Sequence, residues 1–168
     1  IHSPNGQIEL ALSVTLDRDQ LTEAAHAGNL ESVVRLYRGE FLAGFAAPGS
    51  ADFEHWADVE RARCRGIFLR AAESLARRWL DAGRFRDAQQ LARRARDAAR
   101  LSESAWRLLL ECHIAAGDQA SVTLEQAALE SLLSSESREP EPATRALLTR
   151  QRQEHPEDAA RGLVAELV

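Results

Sequence analysis

The chain has 168 residues, 45% of them hydrophobic and 28% charged, with 9 Gly and 5 Pro. That apolar fraction over this length supports one domain, or one domain and a fragment, with a buried core. It excludes a disordered chain, and the low Gly and Pro counts exclude a collagen-like or mucin-like one. The net charge of −5 is unevenly divided: residues 1–60 carry −7, residues 61–100 carry +8 and residues 101–168 carry −6.

No apolar run approaches the roughly 20 residues of a membrane span, which predicts a soluble protein with no membrane partner. Two cysteines, Cys64 and Cys112, are too few for a disulfide scaffold and lack zinc-finger spacing, so a reducing cytoplasm suits them. All 21 basic residues are Arg and Ala is the commonest residue, the codon signature of a GC-rich bacterial genome. The chain has no Met and opens Ile1-His2-Ser3-Pro4, so it is expected to be a piece of a longer protein.

In chain order, Pro4-Asn5-Gly6 is a hairpin-turn signature, and Ile8, Leu10, Leu12, Val14 and Leu16 alternate with smaller or polar residues. This period of two predicts a strand over 8–16, its partner strand lying upstream of Ile1. Asp17 ends the strand and is placed to cap a helix, with Gln20 three residues on. From there the pattern is helical: 17–27, 30–38, 52–81, 85–99, 102–116, 119–134, 142–154 and, weakly, 157–167. A loop at 39–51 carries Gly39, Gly44, Pro48 and Gly49, and Ser50 or Asp52 caps the long helix after it. The apolar stripe of that helix is expected to run through Phe53, Trp56, Cys64, Ile67, Ala71, Leu75 and Trp79.

Three turns share one pattern, Ala-Gly followed five residues after the Gly by a small apolar residue. They are Ala27-Gly28 with Val33, Ala82-Gly83 with Ala88, and Ala116-Gly117 with Val122. Gly83 and Gly117 are 34 residues apart, and Gly28 precedes Gly83 by 55, the excess matching the loop inserted after Tyr37. Glycine ends one helix in the left-handed conformation, and the small residue lets the next helix approach closely. Each antiparallel pair then exposes an apolar face until another pair covers it, which predicts a short α-solenoid.

This period resembles the tetratricopeptide repeat. Leu75, Ala76, Trp79, Gly83, Phe85, Ala88 and Ala95 fall at its signature positions, as do Trp106, Leu109, Gly117 and Val122 in the next unit. Arg100 stands where that repeat often has Pro, and Gln119 and Gln126 stand at positions that are usually aromatic.

A wider resemblance covers residues 14–153. Leu36-Tyr37-Arg38-Gly39-Glu40-Phe41-Leu42, then Trp56 with Glu60-Arg61, then Leu101-Ser102-Glu103, then Glu139-Pro140-Glu141-Pro142 follow the order and spacing of the bacterial transcriptional activator domain. That is the helical module behind the winged helix in SARP-type regulators. The sequence departs from it at Arg100, at Val122 to Gln126, and at Ser134 to Arg138, where the family usually has Leu-Gly. The resemblance implies a mainly α, tetratricopeptide-like array of stacked helical hairpins over residues 17–155. Residues 1–16 would be the wing strand of an upstream winged-helix domain, and residues 156–168 a C-terminal extension or the start of a linker. Asn5 and Gly6 would then be the wing's contact with DNA backbone, the base-reading helix lying in the upstream part.

Catalysis is not expected. His2, His26, His55, His113 and His155 form no metal-ligand pair, no Gly-rich phosphate loop is present, and no cofactor or metal site is predicted. His113 falls on an apolar face beside Leu109, Leu110 and Ile114, which suits a satisfied core histidine better than a ligand. Cys64, Cys112, Trp56, Trp79 and Trp106 are read as core residues on helical stripes. The basic stretch reads either as a solvated face attracted to its acidic flanks or as a partner-binding rim of Arg77, Arg78, Arg84, Arg86, Arg93 and Arg94.

Two functions remain open from sequence. One is the effector and interaction module of a DNA-binding regulator, its partners a second copy in a homodimer, RNA polymerase or another regulator, with DNA bound through the upstream domain. The other is a tetratricopeptide-like adaptor unrelated to transcription.

Overall fold

A computed structural model describes residues 16–45 and 50–154. Among them are seven helices: α1 Asp17–His26, α2 Leu30–Leu36, α3 Ala51–Asp81, α4 Phe85–Ala98, α5 Glu103–Ala115, α6 Gln119–Ser135 and α7 Pro142–Glu154. The helices read from periodicity are all present with ends moved by one or two residues, apart from 157–167, which lies outside the described residues. So do residues 1–15, with Asn5, Gly6 and all of the expected strand except Leu16. Leu16 itself is extended (φ −94°, ψ 135°), and no strand occurs among the described residues. The chain divides into two compact units, one ending at Ala71 and one beginning at Ala72, and α3 contributes to both.

In the first unit α1 packs against α2, burying Leu21, Val33, Val34 and Tyr37. The Tyr37 ring lies flat on Phe68 of α3, centroids 4.3 Å apart. Asp17 is not the cap of α1. Leu16 occupies that position, no side chain caps the helix, and Asp17 joins Asp19 in the first turn, where a carboxylate favours the positive end of the helix dipole. The loop before α3 ends with Ser50 at the cap position, its carbonyl accepting from the Glu54 amide at 3.1 Å.

The buried stripe of α3 also differs at its start from the one expected. Ala57, Glu60, Cys64, Ile67, Phe68 and Ala71 face inward, whereas Trp56 is 41% exposed. Ala57 is the smaller neighbour and admits a closer approach of packed helices. Trp56 is turned onto the shoulder of the helix, where it meets Phe41 edge-on at 5.8 Å and Phe53 at 5.4 Å.

In the second unit α4 turns Ala88, Leu91, Ala92 and Ala95 inward and packs against α5. Helix α5 is the central element and also contacts α6 and α7. Trp106, Leu110, Val122, Leu129, Leu133, Leu147 and Leu148 form one core cluster across these helices.

The three glycine turns are built alike. Gly28, Gly83 and Gly117 have φ of 67°, 71° and 69°. At each, the glycine N–H donates three residues back and the next N–H five residues back: to Ala25 and Ala24, to Leu80 and Trp79, and to Ile114 and His113. This double bond closes the carbonyls that a helix end leaves open. The small residues that follow, Val33, Ala88 and Val122, are all buried. A Cβ on any of these glycines would meet nothing within 4 Å, so the turns require glycine for its backbone freedom and not for space. Seven helices, hairpin turns of one design and buried small residues at the crossings make each unit part of an all-α, solenoid-like module.

Candidate partner-binding surface

All six arginines of the expected rim are exposed, but they are not equivalent. Arg77 on α3 lies 3.1 Å from Glu73 and 3.5 Å from Glu111 of α5. Arg84, at the cap position of α4, lies 2.8 Å from Asp87 and stacks its guanidinium 4.7 Å above the Trp79 ring. Arg78 and Arg94 are each engaged by a neighbour. Arg86 and Arg93, on the outer face of α4, make no ion pair among the described residues. The structure therefore separates a neutralised set from a pair of available charges, a division that composition does not reveal.

The strongest charged contacts lie elsewhere, and sequence reasoning missed them. Half-buried Arg96 reaches Glu125 at 2.7 Å and sits over Trp106 at 5.1 Å, while the Trp106 indole N–H donates to the Arg100 carbonyl at 2.7 Å. Glu103 is buried, accepts the Glu141 backbone N–H at 2.8 Å and lies 3.7 Å from Arg138. Arg107 meets Glu141 and the hydroxyl of buried Thr144, each at 2.7 Å. Buried carboxylates persist only with such partners. Here the partners are 29 to 38 residues away, about one repeat, so the 34-residue period is the one signal that would have found them.

The inserted loop is held in the same manner. Arg61 donates to the carbonyls of Phe41 at 3.1 Å and of Leu42 and Phe45 at 3.3 Å, and pairs with Asp58 at 2.8 Å. Glu60, buried beside it, lies 3.8 Å from Arg18 and 3.6 Å from Arg63. The Arg-Gly loop and the Glu-Arg pair of the long helix, noted from sequence as separate signatures, are thus two halves of one clasp.

His113 is fully buried, its Nδ1 3.2 Å from the Gln89 amide and 3.3 Å from the Asp118 carboxylate. Asp118 caps α6 through the Ser121 amide, and bonding to Ser121, aided by His113, holds its carboxyl below the usual range. Burial raises the Cys64 thiol and pushes that of Cys112 up to about 12, so both are un-ionised near neutrality. No group of three metal-ligating side chains occurs among the described residues, and no described helix is long and apolar enough to cross a membrane.

Each unit presents helices with charge sorted along their exposed faces. The family model described as Bacterial transcriptional activator domain matches residues 10–152. The chain belongs to that family. No curated protein and no solved structure matches it.

Proposed function

We propose that this chain is the effector and protein-interaction module of a bacterial DNA-binding transcription regulator. The observation that carries this is the family match, which spans most of the chain, from before α1 to residue 152 in α7. The geometry supports it, because stacked helical hairpins with rigid turns make extended binding surfaces rather than reaction chambers. In the cytoplasm of its host the module would contact RNA polymerase, another regulator or a second copy in a homodimer, and a winged helix preceding residue 17 would supply sequence-specific DNA binding. Asn5 and Gly6 would touch DNA backbone as part of that wing.

The test is transcription from a responsive promoter by the parent regulator, with and without residues 17–154. Loss of activation with promoter binding retained is expected. Unchanged activation would instead favour an adaptor with no role in transcription. Residues 1–168 alone are expected to bind promoter and scrambled DNA equally weakly, with steep salt dependence. Sequence-specific binding by this chain would refute that division of labour.

A further inference from the structure

Helix α4 carries an electrostatic arrangement that its own unit does not resolve. Arg86 lies in the first turn, where a cation opposes the helix dipole, and the neighbouring Asp87 is paired with Arg84 instead. Arg93 follows two turns later on the same face, and Arg100 lies just beyond the helix end. All three are exposed and none makes an ion pair among the described residues, whereas Arg77, Arg84, Arg96 and Arg107 in this unit are all paired. Large apolar side chains are exposed at both ends of the row, Phe85 at 38% and Leu101 at 53%. Guanidinium groups interleaved with exposed apolar side chains are the composition of protein-binding surfaces.

Resting on the reading of this module as a protein-interaction module, we propose that the outer face of α4 docks an acidic helical segment of a partner protein. Arg86, Arg93 and Arg100 would receive its carboxylates, and Phe85 and Leu101 its apolar ends. Arg86 and Arg93 are seven residues apart, about 10 Å along the helix, and a partner helix with carboxylates at every seventh position repeats its charge at the same interval. Duplex DNA fits the row poorly. The polyanion extends far beyond the row, and its backbone offers nothing apolar to Phe85 and Leu101. The net charge of −5 opposes a long polyanion more than a short segment with a few carboxylates, and Asp97 on the same helix is already paired with Arg96 at 3.0 Å.

The test is fluorescence anisotropy of a labelled helical peptide of about 20 residues, with Glu at every seventh position and Leu near both ends, titrated with the full 168-residue chain. Saturable binding that weakens with salt is expected, while a scrambled peptide of the same composition binds at least about fivefold less well. Arg86→Ala, Arg93→Ala and Arg100→Ala should each lower the affinity about threefold, and Arg77→Ala and Arg84→Ala should leave it unchanged. The double variant R86E/R93E should lose the Glu peptide and bind a Lys peptide of the same spacing, a rescue that damage to the fold would not produce.

No binding of the Glu peptide, equal binding of the scrambled peptide, no change in R86E/R93E, or stronger competition by duplex DNA would each overturn the proposal. The outcome is separable from the function proposed above. If R86E/R93E activates normally in the parent regulator while deletion of residues 17–154 abolishes activation, the docking face is wrong and the function stands. If the deletion leaves activation intact, the function itself fails.

Discussion

The turn after α5 and the turn after α6 close with the same two backbone hydrogen bonds, yet only the first contains glycine. After α5, Gly117 supplies the left-handed residue, and Asp118 at once caps the next helix. After α6, Ser137 takes the left-handed position at φ 51°, its N–H bonded to Ser134 and that of Arg138 to Leu133. No helix follows immediately. Instead residues 138–141 run without regular structure to α7, held by Glu103 at the Glu141 amide and by Arg138 at the Leu101 carbonyl, 3.1 Å away. Both turns close locally, but the segment after the second is held by groups at and just before the start of α5, more than 30 residues earlier. A glycine turn is therefore one of two ways of reaching this backbone, and the second is expected to lean on Glu103.

The comparison is broken most severely at Glu103. Glu103→Ala removes the buried carboxylate that accepts the Glu141 amide, and should cost about 2–3 kcal/mol in urea unfolding. Glu103→Gln, which keeps an acceptor, should cost less. If Glu103→Ala changes stability by less than the error of the measurement, the α6–α7 turn does not depend on distant contacts. Next comes Gly117→Ala, expected to cost about 1–2 kcal/mol from backbone strain alone. Because the added methyl meets nothing, Gly83→Ala should match it closely.

Ser137→Gly tests the opposite direction. Relief of the left-handed strain, offset by the greater freedom of glycine in the unfolded chain, should stabilise by about 0.5–1 kcal/mol. A loss of about 0.5–1 kcal/mol, the entropic cost of glycine alone, would mean that the Ser137 turn is unstrained.

The smallest effect concerns acid. The folded carboxyl of Asp118 has a lowered pKa, so it contributes stability above the unfolded pKa of about 4, and that contribution disappears as pH falls through the folded value. Melting temperatures of the Asp118→Asn variant should accordingly fall less between neutral and acid pH than those of the parent chain.

Much of this architecture was legible because it is local. Gly28, Gly83 and Gly117, each followed five residues on by a small apolar residue, mark three left-handed turns and three close crossings without any knowledge of tertiary contacts. The sequence departs from the family at Ser134 to Arg138, and there the segment after the turn is held by Glu103, whose burial no local pattern announces. Trp56 was misjudged for a related reason. Two adjacent residues, Trp56 and Ala57, both continue an apolar stripe, and tertiary structure buries Ala57 while Trp56 joins Phe41 and Phe53. The arginine rim was found as composition, but its division into neutralised and available charges rests on Glu73, Glu111 and Asp87. The position of Glu111 opposite Arg77 follows from the fold alone.

Shielding of the two thiols gives the molecule a pair of internal clocks. Each unit holds one cysteine, Cys64 in the first and Cys112 in the second, both buried and both un-ionised near neutral pH. An alkylating reagent reaches either sulfur only when its helix opens, so the rate of modification reads the frequency of opening, residue by residue, without any label being introduced. Mass spectrometry of the two cysteine-containing peptides during one time course would time the breathing of α3 and of α5 in the same sample. A ligand that stiffens one unit would slow one clock and leave the other running.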